Sequence, residues 1–154
     1  PSEHWEFSVA GTFLDPLYDS FVIGPAVQNL PGDAATTDLS GTKPAGISSF
    51  TSVVAATYRW TVASFDAFFR ADLDHESSVR VIENVPEEVA TREVNTVNAS
   101  AGLSRDGWDV QLWGRNLTDD HYLISAFPSV AQSGSYSGYP SQPRTYGVTI
   151  RKRF

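Results

Sequence analysis

In the stretch Arg144-Thr145-Tyr146-Gly147-Val148-Thr149-Ile150-Arg151-Lys152-Arg153-Phe154, Tyr146, Val148, Ile150 and Phe154 fall on one parity. Thr145, Gly147, Thr149, Arg151 and Arg153 fall on the other. Successive side chains of a strand point to opposite faces, so this is a strand with one oily face and one wet face. The same period recurs upstream. Trp5, Phe7, Val9, Gly11 and Phe13 alternate with His4, Glu6, Ser8, Ala10 and Thr12. Phe50, Val54, Ala56, Tyr58 and Trp60 share a face opposite Thr51, Thr57 and Arg59. Phe65, Ala67, Phe69, Ala71 and Leu73 alternate with Asp66, Phe68, Arg70 and Asp72. Val97, Ala99, Ala101 and Leu103 oppose Thr96, Asn98, Ser100 and Gly102; Trp108, Val110 and Leu112 oppose Asp109, Gln111, Trp113 and Arg115. No segment sustains a 3.6-residue period. The expectation is an all-β, antiparallel chain of about six strands.

The connections alternate in length. Trp60 and Phe65 are a few residues apart, and Ser104-Arg105-Asp106-Gly107 carries the Asp-Gly signal of a tight turn. The other three links are long: roughly Asp15 to Ser49, Asp74 to Arg92 and Ala126 to Pro143. One end of the sheet therefore gathers tight turns and the other gathers three large loops. Outer-membrane barrels have this asymmetry, with short periplasmic turns and long outer loops. Trp5, Trp60 and Trp108 all sit toward the short-turn end, as a membrane-interface girdle of amphipathic rings requires. Tryptophans closing the bottom of a soluble core would give the same spacing.

The oily faces carry about fifteen large apolar side chains. Leaving them in water costs on the order of 20–45 kcal/mol at ~1.5–3 kcal/mol each. They must face lipid or a second sheet, and the period alone does not choose between these. Six strands are fewer than the roughly eight of the smallest single-chain barrels. An open edge cannot lie in hydrocarbon, so a membrane barrel containing this chain must have further strands.

Composition narrows the alternatives. The 154 residues are 41% hydrophobic with a net charge of −7, which suits a folded chain and argues against a nucleic-acid partner. There is no run apolar and long enough for a transmembrane helix. The chain has no cysteine, so it has neither a disulfide framework nor a thiolate metal site. It also has no methionine, which leads us to expect a processed or partial chain. His4, His75 and His121 lack metal-ligand spacing, so no metal and no cofactor is expected. His121 with Asp119, Asp120 and Ser125 contains the residue types of a catalytic triad, but at strand spacing these residues point to alternating faces. No catalytic residue is assigned. Asn98-Ala99-Ser100 and Asn116-Leu117-Thr118 match the glycosylation pattern, a frequent chance match. A small eight-stranded barrel would need two strands within Phe21–Ser49, where Pro25, Pro31, Gly32 and Pro44 interrupt. The alternative function is a secreted β-sandwich carbohydrate-binding module, with Tyr136, Tyr139, Tyr146 and Trp113 as stacking platforms.

Three segments carry a family resemblance. They are Asp38-Leu39-Ser40-Gly41-Thr42-Lys43-Pro44 before the strand Thr51–Trp60, the run Trp108 to Tyr122 containing Gly114-Arg115-Asn116-Leu117-Thr118-Asp119, and Pro143-Arg144-Thr145-Tyr146-Gly147 through Phe154. In this order and spacing they resemble the C-terminal end of TonB-dependent outer-membrane receptors. The resemblance covers essentially all 154 residues. It departs from the family at Lys152, where the family often has an aromatic, and after Pro44. It implies a transmembrane barrel segment, about the last quarter of a 22-stranded barrel, with the N-terminal plug and its TonB contact absent. It implies localisation in the bacterial outer membrane and uptake of a scarce nutrient such as a ferric siderophore, vitamin or glycan. The partners would be membrane lipid, the barrel-assembly machinery, TonB through the missing region, and the nutrient. Tyr146, Val148, Ile150 and Phe154 would form the assembly signal. Tyr136, Tyr139, Gln132, His121 and Arg70 are the candidates for ligand contact, because aromatics stack and polar groups fix orientation.

Overall fold

A computed structural model describes residues 3–154. Six strands form one antiparallel sheet: β1 (Trp5–Phe13), β4 (Phe50–Val62), β5 (Phe65–Arg80), β6 (Thr91–Arg105), β7 (Trp108–Arg115) and β10 (Thr145–Lys152). They neighbour one another in that order, and β1 does not pair with β10. Two small hairpins lie outside this sheet. One pairs β2 (Gly24–Pro25) with β3 (Thr36–Thr37), and the other pairs β8 (Leu123–Pro128) with β9 (Tyr136–Pro140). A single helical turn, α1 (Glu87–Ala90), precedes β6.

The register aligns the expected faces across the whole sheet. Trp5 pairs with Tyr58, Tyr58 with Phe69, Phe69 with Ala101, Ala101 with Leu112 and Leu112 with Val148. One row nearer the short turns lie Trp60, Ala67, Leu103, Val110 and Ile150. The last row holds Val62, Phe65, Arg105, Trp108 and Lys152. Glu6, Thr57, Arg70, Ser100 and Trp113 align on the opposite face. Thus Phe69 and Arg70 point to opposite sides, as the alternation predicts.

Nothing among the described residues covers the oily face. Phe7 is 68% exposed, and Val148 is 61% exposed in mid-strand. Among the described residues the largest fully buried side chain is Val85, in a small cluster with Ala90 and Ala126 under the long loops. A β-sandwich places a second sheet about 10 Å away over such a face. Here the main sheet is a single layer.

Both tight turns take the twist that strand geometry favours. Asp106 and Gly107 have φ of 50° and 77°, and Ala63 and Ser64 have φ of 47° and 68°. Two successive positive φ values define a type I′ hairpin, so Asp-Gly is expected and Ala-Ser is unusual. The second long link is shorter than Asp74 to Arg92. β5 continues to Arg80 through a bulge between Glu76 and Val79. The extra residue shifts the parity, which hides the strand from a period-2 reading. Ser77 stabilises the bulge: its Oγ accepts the Phe50 backbone N–H at 3.1 Å. The third link, Ala126 to Pro143, holds most of the β8–β9 hairpin.

Candidate functional site

The wet face has a polar cleft at mid-sheet, about 330 Å³ in volume. Its walls include Arg70 on β5, Asn98 on β6, Trp113 and Arg115 on β7, and Arg151 on β10. Arg70 donates to Thr57 Oγ1 at 3.3 Å, and its Nε lies 3.6 Å from Asp72. Asn98 donates to both Asp72 and Asp74, at 2.8 and 2.9 Å. The Trp113 indole lies flat over Gly147, where a Cβ would overlap the ring. Its N–H reaches Thr149 at 3.2 Å, and the Arg115 guanidinium sits 5.3 Å from the ring centroid. The Arg70–Asp72 pair lies within β5, whereas the hydrogen bonds of Arg70 to Thr57 and of Asn98 to Asp72 and Asp74 cross strands; what these contacts leave unsatisfied needs water or further partners.

The long loops at the other end hold one another. Tyr18 in the first loop donates to Glu83 in the second at 2.8 Å, and the Ala45 N–H reaches the same oxygen at 3.1 Å. Burial opposes ionisation of Glu83. The hydrogen bonds from Tyr18 and Ala45, with the nearby Arg80 charge, outweigh it and hold the carboxyl below its ordinary 4.5. Tyr18 is pushed above 10.0, first by that hydrogen bond and then by burial. Tyr136 donates to Asn29, tying the β8–β9 hairpin to the first loop.

The five ligand-contact candidates do not converge on one place. Gln132 lies in the β8–β9 turn, where its carbonyl accepts from Ser135 Oγ at 2.8 Å. Tyr136 packs against the Val85 cluster, whereas Tyr139 is exposed beside Phe127, with ring centroids 5.9 Å apart. His121 is exposed and faces Asp119 at 3.8 Å. Arg70 stands apart from these, in the mid-sheet cleft. Of the four residues expected from the resemblance to form an assembly signal, Tyr146, Val148 and Ile150 share the oily face of β10. Phe154 stands two residues beyond that strand, fully exposed.

Asn116 was not singled out from sequence as an organising residue. It is buried, with φ of 50°. Its side-chain N–H₂ donates to the carbonyls of Asp120 and Gln142, at 2.9 and 3.0 Å, and its Oδ1 accepts from the Asp120 N–H at 2.9 Å. It closes the turn that leads from β7 into the third loop. The signal was Asn in a turn-forming Asn-Leu-Thr-Asp run, because asparagine tolerates positive φ and bonds to nearby backbone.

Compared with known protein families, curated proteins and solved structures, the chain matches none.

Proposed function

We propose that the chain is a stretch of barrel wall from the C-terminal part of a TonB-dependent outer-membrane receptor. The whole protein binds a scarce nutrient, such as a ferric siderophore, vitamin or glycan, outside the cell and imports it with energy delivered through TonB. Lipid faces the oily side and a water-filled lumen faces the wet side. The assembly machinery reads the β10 side chains Tyr146, Val148 and Ile150 together with Phe154.

The observation that carries this reading is the height of the uncovered oily band. Ser52, His75 and Asn95 align as a polar row at its loop-side margin, with the aromatic pair Phe13 and Phe50 beyond it. Arg105 and Lys152 mark its turn-side margin. From Ser52 to Val62 the strand spans about 34 Å. At a tilt of ~40° that is about 26 Å of height, against the roughly 25 Å apolar band of outer-membrane barrels. Trp5, Tyr58 and Trp60 pack in sequence toward the turn-side end, with centroids 4.8 and 5.4 Å apart.

The test uses the absence of native cysteine in this chain. Single cysteines at Leu112, Gln111 and Ser133 in the full-length protein are treated with a membrane-impermeant maleimide on intact cells. Ser133 should label and Leu112 should not, and Gln111 should label once a pore-permeant reagent is used. Rapid aqueous labelling at Leu112 would overturn the membrane reading. Uptake through the receptor should stop when TonB is deleted.

A further inference from the structure

The oily face carries two strand cations between its polar row and its tight turns, Arg105 and Lys152, and they are neighbours. Both flank Trp108 in the register. The Lys152 ammonium sits 5.0 Å from the Trp108 ring, and the Arg105 guanidinium sits 5.2 Å from the Phe65 ring. Both converge on the turn residue Asp106. Lys152 Nζ donates to its backbone carbonyl at 2.7 Å, and Arg105 Nε meets its carboxylate at 3.1 Å. That carboxylate is 81% exposed, so it neutralises the pair weakly. Further ammonium N–H groups and both terminal guanidinium nitrogens remain available.

A second feature lies on the same strands. Directly above Lys152 and Trp108 come Ile150 and Val110, then Val148 and Leu112. Beyond these an apolar trough of about 560 Å³ opens between Phe69, Leu112, Tyr146 and Val148. Ala99 and Ala101 keep its floor low, and Leu117 and Tyr146 close over Gly114. Cations at the edge of the oily band therefore lead into an apolar trough running along β6, β7 and β10.

We infer that this is a binding site for an anionic phospholipid of the leaflet on the tight-turn side. Arg105 and Lys152 hold its phosphate, and Ile150, Val148 and the trough hold an acyl chain. The inference rests on the membrane reading above. Charge complementarity selects an anionic headgroup, and the trough selects a lipid over a soluble phosphate. It also gives a role to Lys152, which stands at a position of lipid parity.

The test places a bimane label on Leu103→Cys, one row above Arg105, in the full-length protein reconstituted in phosphatidylcholine vesicles. A fixed fraction of lipid is brominated, either as phosphatidylglycerol or as phosphatidylcholine. Brominated phosphatidylglycerol should quench as if locally enriched about fivefold, and less so in high salt. The pair Arg105→Gln and Lys152→Gln should abolish the enrichment while leaving quenching by phosphatidylcholine unchanged. Equal quenching by both lipids, or enrichment that survives the double substitution, overturns the inference. Displacement by soluble glycerol phosphate would assign the cations to a soluble anion and overturn it too. No quenching by either lipid would overturn the membrane reading itself.

Discussion

Leu112 and Gln111 are neighbours on β7 that face opposite ways, and arginine at each should separate two solvents. Leu112 lies between Ala101 and Val148 on the oily face and is 59% exposed. It stands four residues from the Lys152 row, about 14 Å along the strand and some 10 Å in height, near the middle of the band. Arginine on the lipid face at that depth costs about 2–4 kcal/mol, a 30- to 1000-fold loss in the folding equilibrium. If the same face met water, losing the Leu112–Val148 contact would cost ~0.2–1 kcal/mol. Gln111 lies between Gly102 and Thr149 on the wet face, in the cleft that also holds Arg115 and Arg151, so arginine there should cost no more than about 1 kcal/mol, from like-charge repulsion. The assay is urea unfolding of the full-length protein in lipid vesicles, read by heat-modifiable migration. Equal costs for Leu112→Arg and Gln111→Arg would refute the lipid assignment of the oily face.

Four further outcomes are expected. Replacing Ala63-Ser64 by Asn-Gly should raise stability by about 1 kcal/mol in urea titrations, because both positions hold positive φ that Asn and Gly adopt with little strain; an unchanged or lower midpoint would contradict the turn assignment. The Glu83 latch has a depressed carboxyl, so its contribution is present above pH 4.5 and is lost as pH falls through the lower folded value; the raised Tyr18 phenol keeps its contribution below pH 10.0 and loses it as pH rises past the folded value. Amide exchange at Ala45, compared with Glu83→Gln at each pH, should show protection only between those limits, and identical exchange in the two proteins at neutral pH would dismiss the latch. Deleting Phe154 should lower the amount of folded barrel in outer-membrane fractions severalfold while leaving ligand affinity per folded molecule unchanged; the exposed ring would gain at most about 1.5–3 kcal/mol at a membrane interface, and normal assembly would leave it merely a girdle residue. Expressed by itself, the chain should aggregate in water, because β1 and β10 present unpaired edges and the oily face is uncovered; a monodisperse soluble monomer in size-exclusion chromatography would count heavily against the proposal.

The six main strands were legible because each keeps its parity over several residues, and the Asp106-Gly107 turn because its residue types match its dihedrals. The Ala63-Ser64 turn shows no such signal: its type I′ geometry is imposed by strands that already pair from Val62–Phe65 onward. The bulge at Ser77 hid the end of β5, since one inserted residue reverses the pattern on which a period-2 reading depends. The β8–β9 hairpin lay within a Ser/Gly-rich run that reads as loop. The polar face was assigned correctly residue by residue, but the cleft was not, because Arg115 folds onto Trp113 and that packing depends on Gly147 from the neighbouring strand. The link between Tyr18 and Glu83 spans 65 residues, and no local pattern predicts it.

The two faces of this sheet ask for different surroundings, and the outer edges of β1 and β10 are unpaired in the sheet. On one side, four successive rows from Val54 and Leu73 down to Val110 and Ile150 contain no charge. On the other, Glu6, Arg70, Asp72, Asp109 and Arg151 need water or partners. The charges are also partitioned lengthwise. Asp15, Asp19, Asp33 and Asp38 against Lys43, then Glu83, Glu87 and Glu88, then Asp119 and Asp120 against Arg144, account for the entire net charge of −7, so the six strands and their tight turns are balanced. A sheet with both faces in water has no reason to keep one face free of charge, and a sheet buried on both faces would not carry a row of carboxylates and guanidiniums. Lipid on one side and water on the other, as proposed above, would satisfy both faces at once. In the proposed membrane setting each unpaired backbone group on the outer edges of β1 and β10 would cost several kcal/mol in hydrocarbon, so that proposal stands or falls with neighbouring strands beside both edges.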